Sequence, residues 1–306
     1  MHSQISARIL ADSVSPAGVR MTTMEIEYPR FILAELNTHR MLSKNSASSR
    51  AIPVKTMHDH IRNHPATPVH WGKNQSGMQA HNQLSGTDLT DAQFIWTRAM
   101  QDALHWAGVL AERVGLHKQV ANRLTEPWMT MKTVISGTEW ANFWWLRAHA
   151  DAQPEISALA HTMLDAYTQS TPQPLQPGEW HVPYVTCYRD THTGVLHYLD
   201  SSDRYISAET ARIISASCCA QVSYRKNDDT LEKAQKIFDQ LIHSQPCHAS
   251  PVEHQATPMC SSNWEVFDSE YWGPGVTHLS ANGDLWSGNL RGWIQHRKLI
   301  PGEAQW

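Results

Sequence analysis

Residues 22–28, TTMEIEY, alternate Thr23, Glu25 and Glu27 with Met24, Ile26 and Tyr28. A period of two sends apolar and polar side chains to opposite faces, which predicts a half-buried strand. Pro29, without an amide hydrogen, stops it. A short helix is then expected from Arg30 to about Thr38. It delivers NTHRMLSKNSASSR, residues 37–50, which packs cations, amides and hydroxyls between an apolar run, FILAEL, and the exit AIPVK.

The other segments read more plainly. Residues 62–88 are rich in Pro, Gly, Asn, His and Gln without periodicity and predict a long loop bordering a site. From Thr90 to Gly115, Phe94, Ile95, Ala99, Ala103, Ala107 and Leu110 recur near helical spacing. A further helix is expected through HKQVANRL. The aromatic segment SGTEWANFWWLRAHADAQPEI runs into a plain helix after Pro154, a good first-turn residue. TPQPLQPGEWHVP, residues 171–183, is the best internal boundary. Beyond it come a polar excursion (186–206), a helix near 207–220, a turn at RKNDD and a helix opened by Thr230. A tail follows whose IQHRK echoes NTHRM.

With 306 residues, 41% of them apolar, the chain can bury a large core. No apolar run approaches the roughly 20 residues a membrane helix needs, and MHSQISARILADS lacks the basic head and apolar body of a signal peptide. We therefore expect a cytoplasmic chain with no membrane partner. A net charge of −4 with both signs interspersed offers no basic patch for nucleic acid. Five cysteines, an odd count with Cys218 and Cys219 adjacent, fit reduced thiols better than a disulfide framework.

If residues 37–50 turn sharply, their backbone, their hydroxyls and the guanidinium groups of Arg40 and Arg50 suit a phosphate or another anion. The plainer alternative is a solvated loop capping the next helix. THRMLSKNSASSR resembles the signature of the flavin-dependent thymidylate synthases, RHRxxSxNxxSxR, at His39, Arg40, Ser43, Asn45, Ser48 and Arg50; the first Arg is Thr38 here. TEWANFWWLRAHADAQPEI is similar to the family's NFxxLRxxxxAQxEI segment through Asn142, Leu146, Arg147, Gln153 and Glu155. CHASPVEHQATP resembles its HxSxxEH segment through His248, Ser250, Glu253 and His254, and AQVSYR, with Ser223, its VSY strand end.

The resemblance implies an α/β (α+β) fold, a mixed sheet with flanking helices and no Rossmann motif. It implies one catalytic domain over 1–306, with the signature loop and the NFxxLR segment in 1–170 and the VSY and HxSxxEH segments in 181–306. It further implies a homotetramer that methylates deoxyuridine monophosphate (dUMP) at carbon-5, using reduced FAD, with methylenetetrahydrofolate and NADPH as co-substrates. Ser48, Arg50, Arg123 and Arg147 would hold the nucleotide, with Arg147 and Ser48 catalytic. His39, Arg40, Asn45, Asn142, Ser223, Ser250 and Glu253 would hold the flavin; no metal is implied.

The motif order departs from the family's, since VSY and HxSxxEH here follow the signature, as if the chain were permuted. His296 and Arg297 therefore stay open as an alternative to His39 and Arg40. Thr38 and Ser46, where the family has Arg and Glu, alter the pocket's charge and leave a sister activity open, making 5-hydroxymethyl-dUMP, as well as a ribonucleotide substrate. Residues 60–90 and 170–206 match nothing in the family.

Two rivals come from other classes. HDHIRNH and HSQPCHASPVEH cluster metal-ligand types, the basis of a metal-dependent nucleotide hydrolase, but neither has CxxC or HExxH spacing. Trp140, Trp144 and Trp145 could stack bases in a nucleotide-binding module, but no basic groove accompanies them.

Overall fold

The computed structural model describes residues 5–223, 228–260 and 269–304. Its central sheet has the order β3-β4-β2-β1-β5, built from β1 (Ser6–Val14), β2 (Arg20–Pro29), β3 (Ser43–Ser46), β4 (Thr130–Gly137) and β5 (Gln173–Pro174). Strands β1 to β4 pair antiparallel, while β5 lies parallel to β1, so the sheet is mixed. Helices flank it, as the family resemblance implies.

One face of the sheet carries Met24, Ile26 and Tyr28. They are buried with Leu36 of α1 (Leu33–Asn37), Phe143 of α5 (Ala141–Arg147), and Ile156 and Leu159 of α6 (Pro154–Gln169). Each such side chain contributes about 1.5–3 kcal/mol of burial. Helix α6 starts where the sequence predicts: Pro154 fills its first turn, and the Gln153 side chain accepts from the Ile156 amide at 3.0 Å.

The opposite face corrects the half-buried reading of β2. Thr23 is fully buried there, because the C-terminal half of the chain lies over it. Register aligns Ser43, Ser136 and Thr23 across β3, β4 and β2, with Ser13 on β1 beyond them. Two histidines of the C-terminal half complete a continuous hydrogen-bonded row: His254–Ser136 (2.8 Å), Ser136–Thr23 (2.6 Å), Thr23–His181 (2.8 Å) and His181–Ser13 (2.9 Å). Buried polar groups without partners would be costly, so the pairing is what permits this face to be covered.

The covering layer holds α7 (Ala208–Ala220), α8 (Leu231–Ile242), and β9 (Ala256–Pro258) paired with β13 (Trp293–Gln295). The polar excursion 186–206 folds into a small sheet of β6 (Thr186–Arg189), β7 (Leu196–Leu199) and β8 (Tyr205–Ile206). A second small sheet joins β10 (His278–Leu279), β11 (Leu285–Ser287) and β12 (Leu290–Arg291). The proline-rich stretch 171–183 marks no break in packing. It contributes β5, and Leu175, Trp180 and Val182 are buried with Met21, Ile214 and Trp293.

Helices α2 (Val54–Asn63), α3 (Gly86–Glu112) and α4 (Lys118–Ala121) form a separate flank, with Met57 and Ile61 packed on Met100, Leu104 and Trp128. The face of α3 departs from the sequence reading. Met100, Leu104 and Ala107 are buried, whereas Phe94 and Ile95 are 68% and 64% exposed, since apolar residues occupy more than one stripe of this helix. Ser223 lies in a turn after α7 rather than at a strand end, and Tyr224 and most of RKNDD fall outside the described residues. No helix among the described residues is long and apolar enough to cross a membrane.

Candidate active site

After α1 the chain reverses through residues 38–42, with the Leu42 amide donating to the His39 carbonyl at 3.3 Å, and enters β3. The turn carries His39 inward, where its ring meets the edge of Phe143 at 4.9 Å, while Arg40 remains exposed. Arg147 ends α5, where a cation suits the helix's negative pole. Its Nε donates to His39 Nε2 at 2.8 Å, its terminal nitrogens reach Thr38 Oγ1 at 3.3 Å and the Glu35 carboxylate at 3.6 Å. Burial, with Arg147 and Lys44 nearby, lowers the His39 pKa to about 4. The ring is therefore neutral at pH 7 and presents Nε2 as an acceptor.

Strand β3 is the axis on which the other motifs converge. Asn45 Nδ2 donates to the Cys219 carbonyl at 2.5 Å, and the Ser48 amide to Ser223 Oγ at 2.8 Å. Asn122 Nδ2 donates to the carbonyls of Ser49 and Ile52, at 2.8 and 3.0 Å, and so shapes the exit of the signature loop. On the other side Gln295 Nε2 reaches Ser43 Oγ (3.4 Å), Asn289 Oδ1 (3.0 Å) and the Glu253 carbonyl (3.2 Å). The 3-10 turn Ser250–Glu253 is thereby held beside β3. The Lys44 ammonium, its pKa lowered to about 8 by burial despite the Glu253 carboxylate, donates to the carbonyls of His39 (2.5 Å) and Leu42 (2.8 Å).

The remaining predicted residues are less closely gathered. Ser250, Asn142 and Arg50 are exposed, and Arg123 is exposed with its guanidinium on Glu126 at 2.9 Å. His254 is fully buried beneath Ser136 rather than open to a ligand. Among the tail residues, His296 is buried between Trp180 and Phe238, and Arg297 is tied to Glu253 and Glu303. His39, not His296, is therefore the one that meets Arg147.

A cavity of about 1220 Å³ opens beside Arg147, lined among others by Phe31, Glu35, His70, Trp96 and Trp145. The long loop, residues 64–85 between α2 and α3, forms one of its walls, as its composition predicts. It is fastened by the buried Glu155, which accepts from the Val69 amide at 2.7 Å and from the Gln153 side chain. The sequence reading assigned no role to Glu35, Lys44, Asn122, Asn289 or Gln295. Lys44 alone had a signal, its place between Ser43 and Asn45 in the signature.

The family model described as "Thymidylate synthase complementing protein" matches residues 8–173. No curated protein matches the chain. Among solved structures it is similar to the UMP/dUMP methylase PolB from Streptomyces cacaoi bound with 5-Br UMP. That likeness has 18% identity and a TM-score of 0.46, and covers 55% of this chain and 90% of that one. It is also similar to thymidylate synthase X from Helicobacter pylori with FAD and dUMP, at 21% identity and a TM-score of 0.32, covering 48% of this chain and 67% of that one.

Proposed function

The chain belongs to the thymidylate synthase complementing protein family, and from that premise we propose that it is a flavin-dependent enzyme methylating dUMP at carbon-5. The observation that carries the reading is the 2.8 Å contact between Arg147 and His39, 108 positions apart, which joins the NFxxLR and signature motifs in one site. From the far end of the chain, Ser223 meets the signature segment at Ser48, and Glu253 is joined to it through Gln295, which also reaches Ser43.

The residues present suit FAD. Gln295 keeps the turn of Ser250 and Glu253 alongside β3, so the flavin-assigned segments are neighbours. Arg40 and Ser250, both exposed, offer a guanidinium and a hydroxyl to a diphosphate, and the neutral His39 adds a ring of fixed tautomer. When bound, FAD supplies the hydride that completes the methyl group. NADPH and methylenetetrahydrofolate, as reductant and one-carbon donor, complete the reaction.

The protein's own contribution is electrostatic. For carbon-5 to act as a nucleophile the uracil ring must first take on enolate character, with negative charge on its carbonyl oxygens, and a cation already fixed in place stabilises that charge without reorganising during the step. Arg147 meets the requirement: three acceptors of different kinds hold its guanidinium, which borders the large cavity. Ser48 and Arg50, with Arg123, bind the nucleotide by its phosphate and sugar. No cysteine attacks the ring.

The test is a visible spectrum of the purified protein with and without dUMP, then supply of methylenetetrahydrofolate and NADPH with mass spectrometry of the nucleotide. A flavin spectrum perturbed by dUMP, followed by thymidylate, is expected. A 5-hydroxymethyl product would move the assignment to the sister activity. A colourless protein that takes up no FAD and leaves dUMP unchanged would overturn it.

A further inference from the structure

We propose that Lys44 is a positioning residue of this site: its ammonium gathers the carbonyls of His39 and Leu42 and so fixes the turn that sets His39 against Arg147. The inference concerns the turn itself; its activity arm alone rests on the function proposed above.

Besides Lys44, the side chains among the described residues that bond to this turn are Arg147, on the His39 ring, and Asn289, whose Nδ2 donates to the Met41 carbonyl at 3.1 Å. Between α1 and β3 the turn's backbone bonds are the His39 amide to the Leu36 carbonyl (3.3 Å), Arg40 to Thr38 (3.1 Å) and Leu42 to His39 (3.3 Å). The two bonds donated by Lys44, at 2.5 and 2.8 Å, are shorter than any of these and carry a full charge. They span the turn from His39 to Leu42. An ammonium is a compact cation with three donors, which two carbonyls three residues apart can share; a planar guanidinium matches that arrangement less well.

Among the described residues, Lys44 has one electrostatic partner of opposite sign, Glu253, whose carboxylate is already bound to Arg297. The other charged or titratable groups facing it are His39, which it helps keep neutral, and Arg147 behind that ring. Across the strand pair its register partner is Ile135, which carries no charge. An ammonium half-buried with so little compensation costs stability. If Lys44 served mainly to stabilise the fold, its removal would lower stability, whereas a residue that sets the position of His39 at a cost leaves stability unchanged or higher when removed. The two roles therefore predict opposite behaviour.

The test compares Lys44→Met and Lys44→Arg with the wild type, by amide hydrogen exchange over residues 39–43 and by NMR titration of His39. Neither measurement needs flavin or nucleotide, so both report on the turn even if the chain does not act on a pyrimidine. In Lys44→Met the Leu42 amide is expected to lose protection by about tenfold or more, as befits loss of charge-assisted bonds. The His39 pKa should rise from about 4, since a neighbouring cation has gone. Thermal stability should hold or increase.

In the activity arm, turnover of dUMP by wild type should decline as pH rises through about 8, where Lys44 loses its proton. Lys44→Arg should carry that decline to higher pH, and Lys44→Met should lack it while retaining flavin. Unchanged exchange and an unchanged His39 titration in folded Lys44→Met would overturn the proposal, as would loss of thermal stability in step with loss of protection.

Discussion

Arg147 is satisfied by an imidazole, a hydroxyl and a carboxylate at once, so its guanidinium cannot swing away as a surface arginine does. Under the proposed function, Arg147→Ala is expected to reduce turnover by about a hundredfold or more. Flavin should stay bound, because the lost charge acts on the pyrimidine; equal loss of the flavin spectrum would refute that division of labour. The thiols make the complementary case. Burial holds Cys218 up at about 12 and Cys219 well above its usual value, which leaves neither a thiolate at neutral pH. Replacing Cys187, Cys218, Cys219, Cys247 and Cys260 singly by Ala should leave turnover intact in every variant that folds, and one folded, inactive variant would point to nucleophilic catalysis instead. At this scale the sequence makes Arg147 and His39 legible through motifs, but not Asn122 or Gln295. The carbonyls that Asn122 binds lie 70 or more positions away, and Ser43 lies 252 from Gln295, so only folding brings them together.

The polar row under the sheet sets the behaviour of whole elements. His181 and His254 are buried and neutral, with pKa values lowered to about 4 and about 3, chiefly by burial. In the unfolded chain both titrate near 6.5. Below that pH the unfolded state therefore binds protons that the folded state refuses. Their contribution to stability is complete above pH 6.5 and declines as pH falls towards 4, by about 1.4 kcal/mol per pH unit for each histidine. Urea midpoints at pH 7, 6 and 5 should fall accordingly, and His181→Gln should shallow the trend; a midpoint independent of pH would contradict it. Thr23→Val, which removes the central hydroxyl and takes one hydrogen bond each from Ser136 and His181, should cost about 1–3 kcal/mol in the same assay.

That row also explains which elements the sequence could reveal. The alternation of β2 predicted a strand correctly but assigned Thr23 to solvent, because period alone cannot tell water from a hydrogen-bonding layer. Helix α6 was readable from Pro154. The short strands β6, β7 and β8 were not, having four, four and two residues, too few for a period to show. The pairing of β5 with β1 was hidden by its proline, Pro174.

At the scale of the molecule, β3 separates two groups that the proposed function needs together. Arg147 lies against the turn before the strand, and Ser48 and Arg50 follow its end. Four strand residues at about 3.3 Å each put about 13 Å of backbone between the two ends within one chain. A second copy could bring its own Arg147 to the nucleotide held by Ser48 and Arg50. Helix α3, with Phe94, Ile95 and Trp106 exposed, offers copies an apolar surface to bury. Arg50→Ala and Arg147→Ala should then each be inactive alone yet complement when unfolded together, mixed equally and refolded. A site drawing one arginine from each of two copies is intact in about a quarter of random pairings. Recovery near that fraction of wild-type turnover would establish a shared site. No recovery, from mixtures in which one variant is isotopically labelled and native mass spectrometry shows mixed oligomers, would mean that one chain supplies both arginines, with the nucleotide stretched along β3 between them.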